Sequence, residues 1–358
     1  MALNWLLVFV PITVVLEHAM PERALWIFLA SALAIMPLAG WMGKATEQLA
    51  KRTGEGIGGL LNATFGNAAE LIIALAALRG GLHDVVKASL AGSIVGNILL
   101  VLGAAMFAGG LSRSEQHYNA SGGRSQATML TLAVIALIAP AAYRHIAGDA
   151  GDPALASLSI WLSLVLLSVY GANLVFSLIT HRDLFAGSEQ DSGDENHRAS
   201  WSVGRAVLIL GTATACIAWM SEILVGALKP ATAALGLNDL FVGVFVVAIL
   251  GNAAEHSTAI VAAMKNRMDL ALSIAIGSSV QVALFVAPLL VLMSYAIGPI
   301  PMDLAFSGGL VLTIILAVWI TGQVAGDGRS DWLRGVQLLA VYLILALVYL
   351  FAPGSAAR

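Results

Sequence analysis

The sequence predicts an all-α polytopic membrane protein: eleven transmembrane helices, arranged as two inverted five-helix repeats beside a peripheral first helix. Three observations carry that prediction. Of 358 residues, 59% are hydrophobic and 11% charged, with a mean hydropathy of +0.88, whereas soluble domains hold about 25% charged residues. Apolar runs recur along the chain at the ~20-residue length that crosses a bilayer. One string, Gly66-Asn67-Ala68-Ala69-Glu70, returns as Gly251-Asn252-Ala253-Ala254-Glu255 inside a second such run.

In order, charge and Pro/Gly clusters delimit runs at 3–19, 24–43, 56–79, 84–110, 126–144, 154–180, 203–228, 237–264, 268–297, 303–323 and 333–352. The first is short, because Pro11 and Glu17 trim its apolar core. No basic residue precedes it, so it reads as a retained helix and not a cleaved leader. The division expected is a peripheral helix at 1–20, a first repeat at 21–180 (helices 2–6), a linker at 181–200 and a second repeat at 201–358 (helices 7–11). The linker carries Asp183, Glu189, Asp191, Asp194 and Glu195. It reads either as a solvated connection or as a segment that attracts cations.

Eleven spans place the termini on opposite sides. With the N-terminus in the cytoplasm, inside loops hold 12 Lys and Arg and outside loops hold 6. The positive-inside rule therefore predicts a cytoplasmic N-terminus and linker, in the cell inner membrane. The net charge of −3 names no partner. No basic cluster is interleaved with aromatics, which argues against nucleic acid, and no protein partner is implied. The single cysteine, Cys216, excludes an intrachain disulfide and any multi-cysteine metal site.

Sliding the chain by 185 positions aligns 66–97 with 251–282 without a gap, and 11 of the 32 pairs are identical. Beyond the string, Ala74, Ala77, Asp84, Gly92-Ser93 and Val95 meet Ala259, Ala262, Asp269, Gly277-Ser278 and Val280. The two motif helices are the third and eighth. Their separation is odd, so they cross the bilayer in opposite directions. Inverted repeats of this kind place their site near the membrane midplane.

An intramembrane carboxylate is costly and by default marks a functional site. Gly66 before Asn67, and Gly251 before Asn252, are places where helix geometry can loosen, and freed carbonyls are tolerated only where they line a cavity or are buried in protein. Asn67 and Glu70 stand three residues apart on one face, as do Asn252 and Glu255. Ser93 and Ser278 add hydroxyls; Asn97 and Gln281 add amides, offset by one position in the alignment. All are oxygen ligands, which suits a hard cation such as Ca2+ over a soft metal. Two carboxylates balance a divalent charge, placing Ca2+ ahead of Na+. Close together in low dielectric, they cannot both stay ionised without a cation, so protons and cation compete for them. A carrier that crosses only when so neutralised is an exchanger. His256 beside Glu255 is a candidate relay or gate.

On these residues the sequence resembles the calcium/proton antiporters of the cation/proton exchanger family, within the Ca2+:cation antiporter superfamily. The string Leu61-Asn62-Ala63-Thr64-Phe65-Gly66-Asn67-Ala68-Ala69-Glu70-Leu71-Ile72 is similar to that family's first signature, and Gly251 through Thr258, with Glu255-His256, to its second. The resemblance implies that Glu70 and Glu255 carry cation and proton. It further implies one peripheral helix plus two inverted five-helix repeats, a cytoplasmic N-terminus, and Ca2+ export against proton entry. Sodium/calcium exchangers of the same architecture place Pro before the motif acid, where this chain has Ala69 and Ala254. A long N-terminal regulatory tail, as in plant and fungal members, is not expected. No cofactor is implied; Ca2+ is the cargo. A Na+ or K+/H+ antiporter on the same scaffold is the alternative. A cation channel is disfavoured by the repeat within one chain, and a membrane enzyme by the lack of a His-rich zinc set.

Overall fold

Each predicted apolar run becomes helix in the computed structural model, which describes residues 4–53, 55–147, 153–181 and 201–352. The described helices are α1 (Asn4–Ala19), α2 (Ala24–Thr53), α3 (Glu55–Phe65), α4 (Ala68–Arg79), α5 (His83–Gly110), α6 (Ala120–Ala147), α7 (Pro153–Thr180), α8 (Val203–Leu235), α9 (Ala248–Met264), α10 (Met268–Ile297), α11 (Gly308–Ala325) and α12 (Trp332–Phe351). A turn at Asp239–Phe241 and a π-helical stretch at Val242–Val247 lead into α9. Among the described residues, eight helices are long and apolar enough to cross a membrane alone, or nine if Asp239–Ala253 and Glu255–Met264 form one bent span. The short α1 and the α3–α4 pair complete the eleven predicted runs. The acidic linker from Arg182 onward lies outside the described residues.

Several boundaries differ from the hydropathy reading, among them α6, which starts at Ala120, and α11, which starts at Gly308; three differences have a plain physical reason. α2 continues ten residues past its apolar run, because Lys44–Thr53 are polar but competent helix formers and Lys51 pairs with Glu47 one turn earlier at 2.7 Å. α8 likewise runs through Lys229 and Pro230, stopping where Gly236 adopts a left-handed φ of 64°. The run at 56–79 is two helices, because the chain opens at Gly66–Asn67. A two-residue antiparallel ladder, Gln116–His117 with Arg329–Ser330, was not foreseen in an all-α chain.

The helices gather into two compact units, one of Met1–Ser89, Asp194–Ala254 and Tyr349–Arg358, the other of Leu90–Gly193 and Glu255–Val348. Each unit therefore draws on both sequence halves. In the first, Ile27, Ile35 and Met42 of α2 pack with Ile217, Met220 and Leu224 of α8 and with Ile73 of α4. In the second, Tyr170 of α7 stacks on Phe285 of α10 at 5.3 Å, and Arg144 of α6 pairs with Asp303 at 2.8 Å. Tyr118, in the loop before α6, donates to the Val324 carbonyl at 2.9 Å; burial pushes its phenol up to about 12.

Two crossings in the second unit depend on small residues. The end of α5 meets the start of α12 backbone to backbone: a Cβ on Gly335 would strike the Phe107 nitrogen and stand 2.6 Å from the Gly103 oxygen. Close approach of this kind is what small residues permit between membrane helices. At the other crossing, Ser279 Oγ of α10 donates to the Ile94 carbonyl of α5 at 3.2 Å, over a separation of 185 residues. That separation equals the repeat offset, so repeat-equivalent positions touch each other. The π-helical stretches Gly96–Val101 in α5 and Val282–Val286 in α10 also stand at repeat-equivalent places.

Candidate functional site

The first motif opens the helix as its sequence suggests. α3 ends at Phe65 with the Gly66 N–H bonded to the Asn62 carbonyl at 2.8 Å, and Asn67 (φ −105°, ψ 24°) starts α4. Asn67-x-x-Glu70 has the spacing of a capping box, yet the Asn67 side chain makes no cap hydrogen bond. The buried amide is therefore not spent on the helix end. Glu70 is only 7% exposed, within the first turn of α4, where the helix dipole favours a negative charge. Its Oε1 is buried and accepts no hydrogen bond, although the residue makes other interactions.

The second motif meets this carboxylate through its glycine. A Cβ on Gly251 would stand 3.1 Å from Glu70 Cγ and 3.6 Å from its Oε1. Gly251 is thus the residue that makes room for Glu70, and both lie in the first unit. Asn252 is buried beside it; its Nδ2 donates to the Ala248 carbonyl at 3.1 Å, and Oδ1 accepts no hydrogen bond. Unlike the first motif, Gly251–Asn252 is itself helical in α9, and the bend follows it, between Ala253 and Glu255. Gly251→Ala is expected to reduce transport about tenfold while the protein still folds, because a contact of that length displaces the Glu70 side chain by a few tenths of an ångström. Initial rates in reconstituted vesicles check this.

The remaining predicted residues lie in the second unit. Ser278 hydrogen-bonds the Glu255 carboxylate, whose Oε2 is buried and accepts no hydrogen bond. His256 Nε2 lies 3.2 Å from Asn97 Oδ1 and donates to it in the tautomer that carries the proton there. Asn97 Nδ2 is buried and donates to no acceptor. The amide predicted as a cation ligand thus positions the histidine through its oxygen. Ser93 is buried in α5, and Gln281 is half-buried where α10 enters its π-helical stretch. Gln126 of α6 was missed by the motif reading: its Nε2 stands 3.9 Å from where a Gly277 Cβ would be, one residue before Ser278. A polar amide in an otherwise apolar run was the available signal. Among the described residues, no three His, Cys, Asp or Glu side chains gather into a metal cluster. A cation here would therefore need amide, hydroxyl or backbone oxygens to complete its shell.

Long apolar helices, one opened at a Gly-Asn pair, with carboxylates turned inward define a polytopic helical membrane protein of the carrier type. The chain belongs to the sodium/calcium exchanger protein family, whose model matches residues 23–179 and 205–351. It is 44% identical over 359 residues to a Ca2+/H+ antiporter of Aphanothece halophytica, covering 97% of this chain and 96% of the relative. It is 42% identical to the Ca2+/H+ antiporter ChaA of Bacillus subtilis, covering 90% and 91%. Its structure is similar to that of native YfkE, with a TM-score of 0.84 at 37% identity, covering 98% of this chain and all 100% of that one.

Proposed function

We propose that the protein is a secondary active antiporter that exchanges Ca2+ for H+ by alternating access, with Ca2+ and protons competing for Glu70 and Glu255. The observation that carries this is the burial of carboxylate oxygens in both motif acids: Glu70 is 7% exposed, and Oε2 of Glu255 is buried without a hydrogen bond. Such oxygens are costly unless a proton or a cation joins them. The identity with relatives named Ca2+/H+ antiporters supports the choice of ions. Asn67, Asn252, Ser93, Ser278, Gln281 and the carbonyls at Gly66 and Gly251 supply further oxygens, and His256, held by Asn97, acts as relay or gate. Ca2+ is cargo; no cofactor, catalytic chemistry or protein partner is needed. The N-terminus and residues 181–200 face the cytoplasm from the cell inner membrane. The two matched segments of the family model support repeats at 21–180 and 201–358.

Inside-out vesicles with an acid interior test the ions: Ca2+ addition should collapse the gradient, and collapse with Na+ or K+ but not Ca2+ would overturn the reading. Competition also sets a pH dependence. Protons hold the sites at low pH, so the apparent Ca2+ affinity should rise with pH, about tenfold per unit for each proton displaced. Calcium titrations from about pH 6 to about pH 8 read this directly; a flat profile would refute competition.

A further inference from the structure

Where α2 ends and α8 begins, in the first unit, several cations converge on one indole. The Trp201 ring stacks on Trp41 with centroids 5.8 Å apart. Lys44 Nζ lies 5.5 Å from the Trp201 centroid and 6.0 Å from that of Trp41. The Arg205 guanidinium lies 5.1 Å from the Trp201 ring. Both backbone polar groups of Trp201 are also tied to α2: its carbonyl accepts from Arg52 Nε at 2.7 Å, and its N–H donates to Gln48 Oε1 at 3.2 Å. The indole is therefore a fixed platform. The nearby carboxylate Glu47 is taken by Lys51. Among the described residues, neither Lys44 nor Arg205 forms an ion pair, so two like charges are held against one ring with positive charge in excess.

The location of this charge narrows what could meet it. Arg205 opens an exposed stripe along α8 that continues through Leu208, Thr212, Ala215 and Trp219, with Leu208 70% and Trp219 51% exposed. Spacings of three and four residues put these on one helix face. On a membrane-spanning helix, an exposed apolar face is the one that meets acyl chains. Val203 and Val207 are exposed beside Arg205, and tryptophan at such a boundary sits at headgroup level. The cations thus stand at the end of a lipid-facing stripe, where a phosphate arrives attached to acyl chains.

We propose that Lys44 and Arg205, on the Trp41–Trp201 platform, form a binding site for the headgroup phosphate of an anionic phospholipid. The lipid would brace the end of α2 against the start of α8 on the membrane surface at which both lie.

Native mass spectrometry of the full-length protein tests this, with phosphatidylglycerol and phosphatidylcholine of matched chains as probes. The wild type should retain phosphatidylglycerol in preference. Lys44→Gln with Arg205→Gln should weaken its affinity for that lipid by about 30-fold, at the usual strength of two juxtamembrane cations, and leave phosphatidylcholine unchanged. Lys44→Arg with Arg205→Lys should keep the preference, which separates charge from misfolding. Equal retention of both lipids by the wild type, or an undiminished preference in the neutral variant, would overturn the proposal. So would displacement by glycerol phosphate at the same concentration, which would mark a soluble-anion site. A preference that emerges only after Asp183, Glu189, Asp191, Asp194 and Glu195 are made neutral would assign the cations to the chain's own linker and overturn it equally.

Discussion

Glu70→Gln is expected to give a folded protein with at least a hundredfold less Ca2+/H+ exchange, and Glu255→Gln to do the same. Glutamine keeps the shape but neither balances a divalent cation nor takes up a proton, so it removes both halves of the competition at once. Stability should move the other way. A charge held from water carries a desolvation penalty that a neutral isostere avoids. The midpoint of thermal unfolding should therefore stay or rise in each variant; Ser278, which bonds the Glu255 carboxylate, can still donate to the amide oxygen. This divergence is diagnostic. A carboxylate retained for packing would lose stability and keep transport, so a folded, silent protein and a weakened, active one are the opposed outcomes. Scanning fluorimetry beside vesicle flux measures both on one preparation.

Gly335→Ala is expected to be the most damaging of single-methyl additions, costing about 3 kcal/mol or more, the upper range for overpacking. The new methyl would meet the backbone of Phe107 and Gly103, and a backbone has no rotamer through which to give way. α12 would have to move off α5, with the Gly110–Trp332 approach a few residues along moving with it. Gly171→Ala is the control: nothing lies within 4 Å of its Cβ position, and alanine favours a helix interior by about 1 kcal/mol over glycine. Resistance to heating in detergent, followed by size exclusion, should fall steeply for the first and hold for the second.

The helices were legible because the bilayer imposes one length on every span, so 84–110 and 268–297 could be read from hydropathy within a residue of α5 and α10. Hydropathy records where lipid stops, not where the helix does. Lys44–Thr53 therefore escaped the reading, although Glu47 and Lys51 at i,i+4 were a helix signal in plain view. The opening at Gly66–Asn67 was anticipated from the residues themselves. In α9 the identical Gly251–Asn252 stays helical and the bend comes after it, between Ala253 and Glu255; what surrounds the motif decides. For the site, burial of Glu70 followed from its place in the chain. The seat that Gly251 makes for it, the Asn97–His256 bond and the approach of Gln126 join residues far apart in sequence, and no local pattern encodes them. The π-helical stretches left no trace either, because a π turn and an α turn draw on the same residue preferences.

The Ser279–Ile94 bond joins two places that correspond under the 185-residue offset. In a dimer of identical unjoined halves, a position on the twofold axis faces its own copy, and one residue type must serve as both sides of the contact. Covalent fusion lifts that restriction, and here the two copies have diverged into a donor side chain and a bare backbone acceptor. The bond therefore has a direction that the repeat lacks. Conformations that interchange the roles of the halves would place it in non-equivalent surroundings, and about 0.5–1.5 kcal/mol hangs on one such bond. That is enough to bias two otherwise matched states by up to about tenfold, so a carrier assembled from near-copies need not rest halfway between its two faces.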